Sequence, residues 1–88
     1  MSQDETLFEF PCEFPIKVMG HANDTFEIEV VTLIRKHVPD LGENAVTRRE
    51  SAKSNYAALT ITITATSREQ LDEIYKDLTA SEHVIMAL

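Results

Sequence analysis

The segment from residue 56 to residue 66, YAALTITITAT, alternates between apolar side chains and threonine with a period of two. Successive side chains of a β-strand point to opposite faces of a sheet, and β-branched residues favour strands. One face would carry Leu59, Ile61, Ile63 and Ala65, and the other Thr60, Thr62, Thr64 and Thr66. The pattern therefore predicts a strand with one buried face and one face of threonines.

Shorter strands are predicted in three other segments. In IKVMG, Ile16 and Val18 fall on one face and Lys17 and Met19 on the other, which is strand spacing. The remaining segments are a weaker strand at 45–51 (AVTRRES), a hairpin turn at 52–55 (AKSN) and a short apolar edge strand at 83–88 (HVIMAL).

A first helix is predicted from about residue 25 to residue 37, because apolar residues recur there at helical spacing. These residues are Phe26, Val30, Leu33, Ile34 and Val38. Asp24 is the predicted N-cap, since Glu27 follows three residues later as in a capping box. Pro39 and Gly42 would end the helix.

A second helix is predicted to follow the long strand. Ser67 and Gln70 have the spacing of a capping box, with Ser67 as the N-cap. The apolar stripe of this helix is formed by Leu71, Ile74, Tyr75 and Leu78.

The predicted order of elements is β-α-β-β-α-β. Right-handed crossovers place both helices on one face of a four-stranded antiparallel sheet. The sequence thus predicts an α+β, ferredoxin-like fold with strand order 4-1-3-2. The threonines of strand three would then share the open face of the sheet with Lys17 and Met19.

Several short segments resemble the YbeD-like family of small bacterial proteins of unknown function. They are FPIKVMG at 14–20, KHVP at 36–39, SAKSNY at 51–56, ITITA at 61–65 and YKDL at 75–78. The resemblance covers nearly the whole chain after residue 8. It implies a ferredoxin-like fold close to the ACT domains, which bind amino acids and regulate metabolic enzymes, and it assigns no catalytic or ligand residues.

Length and charge narrow the class of protein. The 88 residues suffice for one small domain, predicted at 10–88 after a flexible tail at 1–9. Fifteen acidic and eight basic residues give a net charge of −7, which disfavours nucleic acid and anionic membranes as partners. The start of the sequence is acidic and lacks the long apolar run of a signal peptide, so we expect a cytoplasmic protein.

Known catalytic and metal-binding patterns are missing from the sequence. Two glycines exclude the glycine-rich dinucleotide and phosphate loops. The spacings of Cys12, His21, His37 and His83 match no zinc site, so no metal or cofactor is expected. Cys12 precedes the first strand beside Glu13, which disfavours a reactive thiolate. His37 is interpreted as a cation at a helix C-terminus and His83 as a surface residue, and the protein is not expected to be an enzyme.

The segment around Gly20 is a candidate for ligand binding. Gly20 is predicted to lie in a tight turn between the first strand and the first helix, where free backbone N–H groups can bind an anion. His21 and Asp24 would flank such a ligand, and an amino acid could place its amine against Asp24. Against this, Asp24 would itself cap the N–H groups, and Glu27 and Glu29 would repel a carboxylate.

Two functions therefore remain open. The first is a non-enzymatic regulatory or protein-interaction module that binds a protein partner or itself. Its contact surface would be the open sheet face, with Met19, Thr60, Thr62, Thr64 and Ile85, together with Ala87. The alternative is an ACT-like sensor of small molecules, of amino-acid type, at Gly20, His21 and Asp24.

Overall fold

The computed structural model describes residues 9–50 and 55–88. Most of the predicted tail at 1–9 and of the predicted turn at 52–55 lies outside these residues. The described elements are β1 Cys12–His21, α1 Asp24–Arg35, a 3-10 turn Glu43–Ala45, β2 Val46–Glu50, β3 Tyr56–Ala65, α2 Arg68–Ala80 and β4 Val84–Ala87.

The four strands form one antiparallel sheet in the order β2-β3-β1-β4, which confirms the predicted strand order. The two central strands pair over their full length, from Cys12 opposite Ala65 to His21 opposite Tyr56. The fold is α+β and ferredoxin-like, as the order of elements predicts.

A single hydrophobic core joins the sheet to both helices. Ile61 of β3 and Ile16 of β1 lie opposite each other and are fully buried. The other fully buried large side chains are Val18, Phe26, Val30, Ile34, Leu59, Ile63, Ile74 and Leu78. Because the buried residues of α1 and α2 belong to the same cluster as those of the strands, both helices cover the same face of the sheet.

The start of α1 differs from the prediction. Asn23 is the N-cap: its backbone is extended, and its side-chain oxygen accepts a hydrogen bond from the backbone N–H of Phe26 at 2.7 Å. Asp24 is the first residue of the helix, so the predicted Asp24–Glu27 capping box is wrong. The helix also ends earlier than predicted, at Arg35. Asn and Asp cap helices about equally well, so the adjacent pair could not be separated by residue type.

The start of α2 agrees with the prediction. The Ser67 hydroxyl oxygen accepts a hydrogen bond from the backbone N–H of Gln70 at 3.0 Å. The Gln70 side-chain oxygen accepts one from the backbone N–H of Thr66 at 2.8 Å, one residue ahead of the usual capping-box position.

Replacing Ser67 by alanine is expected to lower the free energy of unfolding by about 0.5–2 kcal/mol, because the N–H of Gln70 loses its acceptor. Urea denaturation measures this loss. Thr66→Ala is the matched control, since the hydrogen bond between Thr66 and Gln70 is donated by the backbone N–H of Thr66, which alanine keeps. Indistinguishable midpoints for wild type and Ser67→Ala would contradict the assigned cap.

Candidate functional site

The face of the sheet that the helices do not cover is here called the open face. Residues directly opposite each other in a sheet point to the same side, so the register identifies its members. One row crosses all four strands through Arg49, Ala58, Met19 and Met86. At about 4.8 Å between neighbouring strands, this row spans roughly 14 Å.

A second row on the open face runs through Thr47, Thr60, Lys17 and Leu88. Leu88 joins it through two backbone hydrogen bonds with Lys17, of 3.0 and 2.7 Å. At the far end of β1, His21 lies opposite Tyr56, with ring centroids 5.6 Å apart.

Large apolar side chains are concentrated on this face. Met19 is 42% exposed, Tyr56 44%, Met86 47% and Leu88 67%. Together with Ala58 they form what we call the apolar patch. Isolated exposed apolar residues are common, but neighbouring ones on several strands are typical of an interaction surface.

Strand β4 corrects part of the predicted surface. Met86 pairs with Met19 and Val84 pairs with Gly20, so Ile85 is the extra residue of a β-bulge. Ala87 lies opposite Val18 and packs against the core, so its predicted place on the open face is wrong. Ile85 is exposed, but Met86 is the residue opposite Met19, and the prediction omitted it.

The predicted threonines lie along β3 at increasing distance from the apolar patch. Thr60 is opposite Lys17 and borders the patch. Thr62 and Thr64 are exposed but lie opposite Pro15 and Glu13, toward the other end of the sheet. Of the three, Thr60 is the residue that lies nearest to Met19.

A shallow depression of about 150 Å³ lies at one side of the patch. Its lining residues are Met19, Arg49, Glu50, Tyr56, Ala57 and Ala58. An apolar space of about this volume can hold a benzene-sized group. The depression is thus wide enough for one side chain of a bound molecule.

The two neighbouring arginines of β2 differ in their contacts. Arg48 forms ion pairs of 2.9 Å with Glu27 of α1 and with Glu50. Both hydrogen bonds raise the pKa of Arg48 above its ordinary value, and the bond to Glu27 contributes the most. Arg49 lies on the open face and is exposed. Within residues 9–50 and 55–88, neither Arg49 nor Lys17 forms an ion pair.

Gly20 is a residue of β1 and not of a turn, which corrects the prediction. It is buried, and its φ lies outside the left-handed region. A Cβ atom at this position would overlap the Phe26 ring and the backbone carbonyl of His83. Glycine is present because the chain packs closely against it, and the ligand hypothesis is not needed to explain it.

The other two predicted ligand residues lie on different elements of the fold. His21 is on the open face beside Tyr56, and Asp24 is the exposed first residue of α1. At the start of α1, the Asn23 side chain already accepts from the N–H of Phe26. These contacts do not favour an amino-acid site formed by Gly20, His21 and Asp24.

His37 forms a side-chain hydrogen bond with α2 that its position in the sequence does not predict. It follows the end of α1, and its Nε2 lies 2.7 Å from Asp77 Oδ2 of α2. This hydrogen bond lowers the pKa of Asp77. The Gln70 amide also donates to the His37 carbonyl at 3.1 Å. His37 therefore ties the end of one helix to the other, in addition to its predicted place near a helix C-terminus.

The described residues contain neither a metal-binding cluster nor a membrane-spanning helix. Across 9–50 and 55–88, no three His, Cys, Asp or Glu side chains are grouped in a way that could hold a metal ion. Cys12 is half-buried at the start of β1. In the described helices, no stretch is long and apolar enough to cross a membrane.

The fold and the open face define a small ferredoxin-like α+β protein with an exposed apolar patch. The model of a family of proteins of unknown function, DUF493, matches residues 5–88, and the chain belongs to this family. A UPF0250 protein of Chromobacterium violaceum is 49% identical over 86 residues, covering 98% of this chain and 97% of the relative. One from Paraburkholderia phytofirmans is 46% identical over 87 residues, covering 99% and 98%. These relatives confirm the resemblance to the YbeD-like family.

Two solved structures share the fold. Protein HP0495 from H. pylori has a TM-score of 0.72 and 13% identity, covering 92% of this chain and 85% of its own. Protein TM1266 from Thermotoga maritima has a TM-score of 0.63 and 10% identity, covering 86% and 92%. At such identities the similarity shows the fold alone.

Proposed function

We propose that the protein is a non-enzymatic interaction module that binds a protein partner through the open face. The observation that carries this proposal is the apolar patch, in which Met19 and Met86 lie directly opposite each other and are both exposed. Methionine is common at binding surfaces because its unbranched side chain adapts to its partner. Burying the patch would remove several large apolar side chains from water.

The rigid support of the open face favours the same function. β1 and β3 are central strands, so their open side is rigidly supported by the core beneath it. Binding to a preformed surface avoids the entropy cost of ordering it. Within residues 9–50 and 55–88, no Ser, Thr or Cys side chain hydrogen-bonds to a histidine ring, and the Ser81 hydroxyl accepts from the backbone N–H of His83, so the described contacts offer no activated nucleophile.

The double variant Met19→Asp/Met86→Asp is expected to lose the partner while its melting temperature stays within a few degrees of wild type, because neither side chain belongs to the core. Partner binding is measured by quantitative capture from cells that make the protein. Sedimentation velocity measures self-association, and circular dichroism the melting temperature.

Ile28→Asp is the matched control. Ile28 is also apolar and is 64% exposed, but it lies on α1, away from the open face. The Ile28→Asp variant should therefore still bind the partner. If the double variant binds as wild type does, or if Ile28→Asp removes the partner equally well, the open face is not the contact surface.

A further inference from the structure

Charge is distributed unevenly between the two sides of the domain. The helices carry seven acidic and three basic residues. On the open face, the charged residues next to the apolar patch are Lys17 and Arg49, both basic and exposed. Glu13 is on the same face but lies four residues from Lys17 along β1. An acidic protein thus places two cations, Lys17 and Arg49, next to its apolar patch.

The patch and its cations lie in adjacent rows. Arg49 is at one end of the row that contains Met19 and Met86, and Lys17 lies in the next row beside Leu88. Arg49 also lines the 150 Å³ depression together with Met19, Tyr56 and Ala58. The one acidic residue in this lining, Glu50, is already paired with Arg48 at 2.9 Å. An incoming carboxylate could therefore pair with Arg49 while an apolar side chain enters the depression.

A second copy of the chain fits this surface less well. In a two-fold dimer through the open faces, both copies would bring Lys17 and Arg49 into one interface, and an excess of like charges at an interface opposes association. Docking the acidic helices of one copy on the open face of the next would be complementary in charge. It would use two different surfaces, however, and such contacts form rings or open chains.

We propose that the open face recognises a peptide segment in which an apolar side chain is flanked by Asp or Glu. The apolar side chain occupies the depression beside Met19, and the carboxylates pair with Arg49 and Lys17. This inference rests on the proposed function and adds the chemistry of the partner to it.

Selection from a phage-displayed library of random peptides tests the proposal, with the full-length protein as the immobilised target. The selected peptides are expected to share an apolar residue with acidic neighbours. Each is then synthesised with a fluorescent label, and its dissociation constant is measured by anisotropy. A matched peptide in which every Asp and Glu is replaced by Lys serves as the control and should bind at least about tenfold more weakly.

Two protein variants locate the binding. The variant Lys17→Glu/Arg49→Glu should bind the acidic peptides about tenfold or more weakly than wild type, and Met19→Asp should abolish peptide binding. Raising the salt concentration should weaken binding to wild type, since exposed charge pairs are screened. Melting temperatures establish that each variant is folded, and Lys17→Ala/Arg49→Ala replaces the charge reversal if that variant unfolds.

The outcomes separate this inference from the proposed function. The selected peptides could lack acidic residues, fail to bind Met19→Asp and bind the charge-reversed variant as well as wild type. That result would overturn the proposal of an acidic partner but would leave the open face as the interaction surface. If no peptide is enriched, or if the enriched peptides bind Met19→Asp unchanged, both proposals fail.

Discussion

Ile61→Ala is expected to lower the free energy of unfolding by about 2–5 kcal/mol, the largest loss that we predict for a single substitution. Ile61 lies in central strand β3, opposite Ile16 on one neighbouring strand and Val46 on the other. It is fully buried, so truncation removes apolar contacts and leaves a cavity beneath the helices. Native domains are stable by only about 5–15 kcal/mol, so a loss of this size is a large fraction of the total stability.

Thr62→Ala is the control for this prediction. Thr62 is the next residue of the same strand, but it lies on the open face and is exposed. Thr62→Ala should therefore lower the free energy of unfolding by well under half as much as Ile61→Ala does. Urea denaturation with a common slope for both variants measures the difference. Equal losses would show that the two faces of β3 are assigned the wrong way round.

Gly20→Ala is expected to destabilise the protein by about 1–3 kcal/mol, because an added methyl group has no space. The Cβ atom would meet the ring of Phe26 and the backbone carbonyl of His83. A carbonyl of the main chain cannot rotate away as a side chain can, so β1 or the segment before β4 would have to shift.

Gly42→Ala provides a matched control at the second glycine. No atom lies within 4 Å of a Cβ built on Gly42, and its φ of −91° suits any residue. Alanine there should be neutral or should stabilise the protein by up to about 1 kcal/mol, through a less flexible unfolded chain. If both glycine variants melt at the same temperature, close packing is not the reason for Gly20.

The sequence predicts the fold well because its strongest signals are local. Strict alternation in β3 identifies the buried face, and the Ser67 pattern identifies the start of α2. The start of α1 could not be identified in the same way, since Asn23 and Asp24 are both good caps and only the backbone geometry separates them. The pairing of His37 with Asp77 joins residues 40 positions apart, and no local pattern encodes it.

The open face was predicted more accurately at its centre than at its edge. Met19 follows directly from alternation along β1. Alternation fails in β4, because the bulge at Ile85 adds one residue and moves Met86 to the open face and Ala87 to the core. The bulge is set by how β4 pairs with β1, which a single strand sequence does not specify. Gly20 was misplaced for a similar reason, since its neighbours come from α1 and from the segment before β4.

The helices carry more acidic than basic residues, whereas the open face has Lys17 and Arg49 beside its apolar patch, and this difference creates an electric dipole across the thickness of the domain. A molecule with such a dipole is turned by the field of an approaching charged partner before the two surfaces touch. For a partner of the proposed acidic kind, most encounters would then begin with the sheet facing it. Ionic strength would accordingly change the association rate constant more than the dissociation rate constant, which depends on the contacts of Met19 and its neighbours.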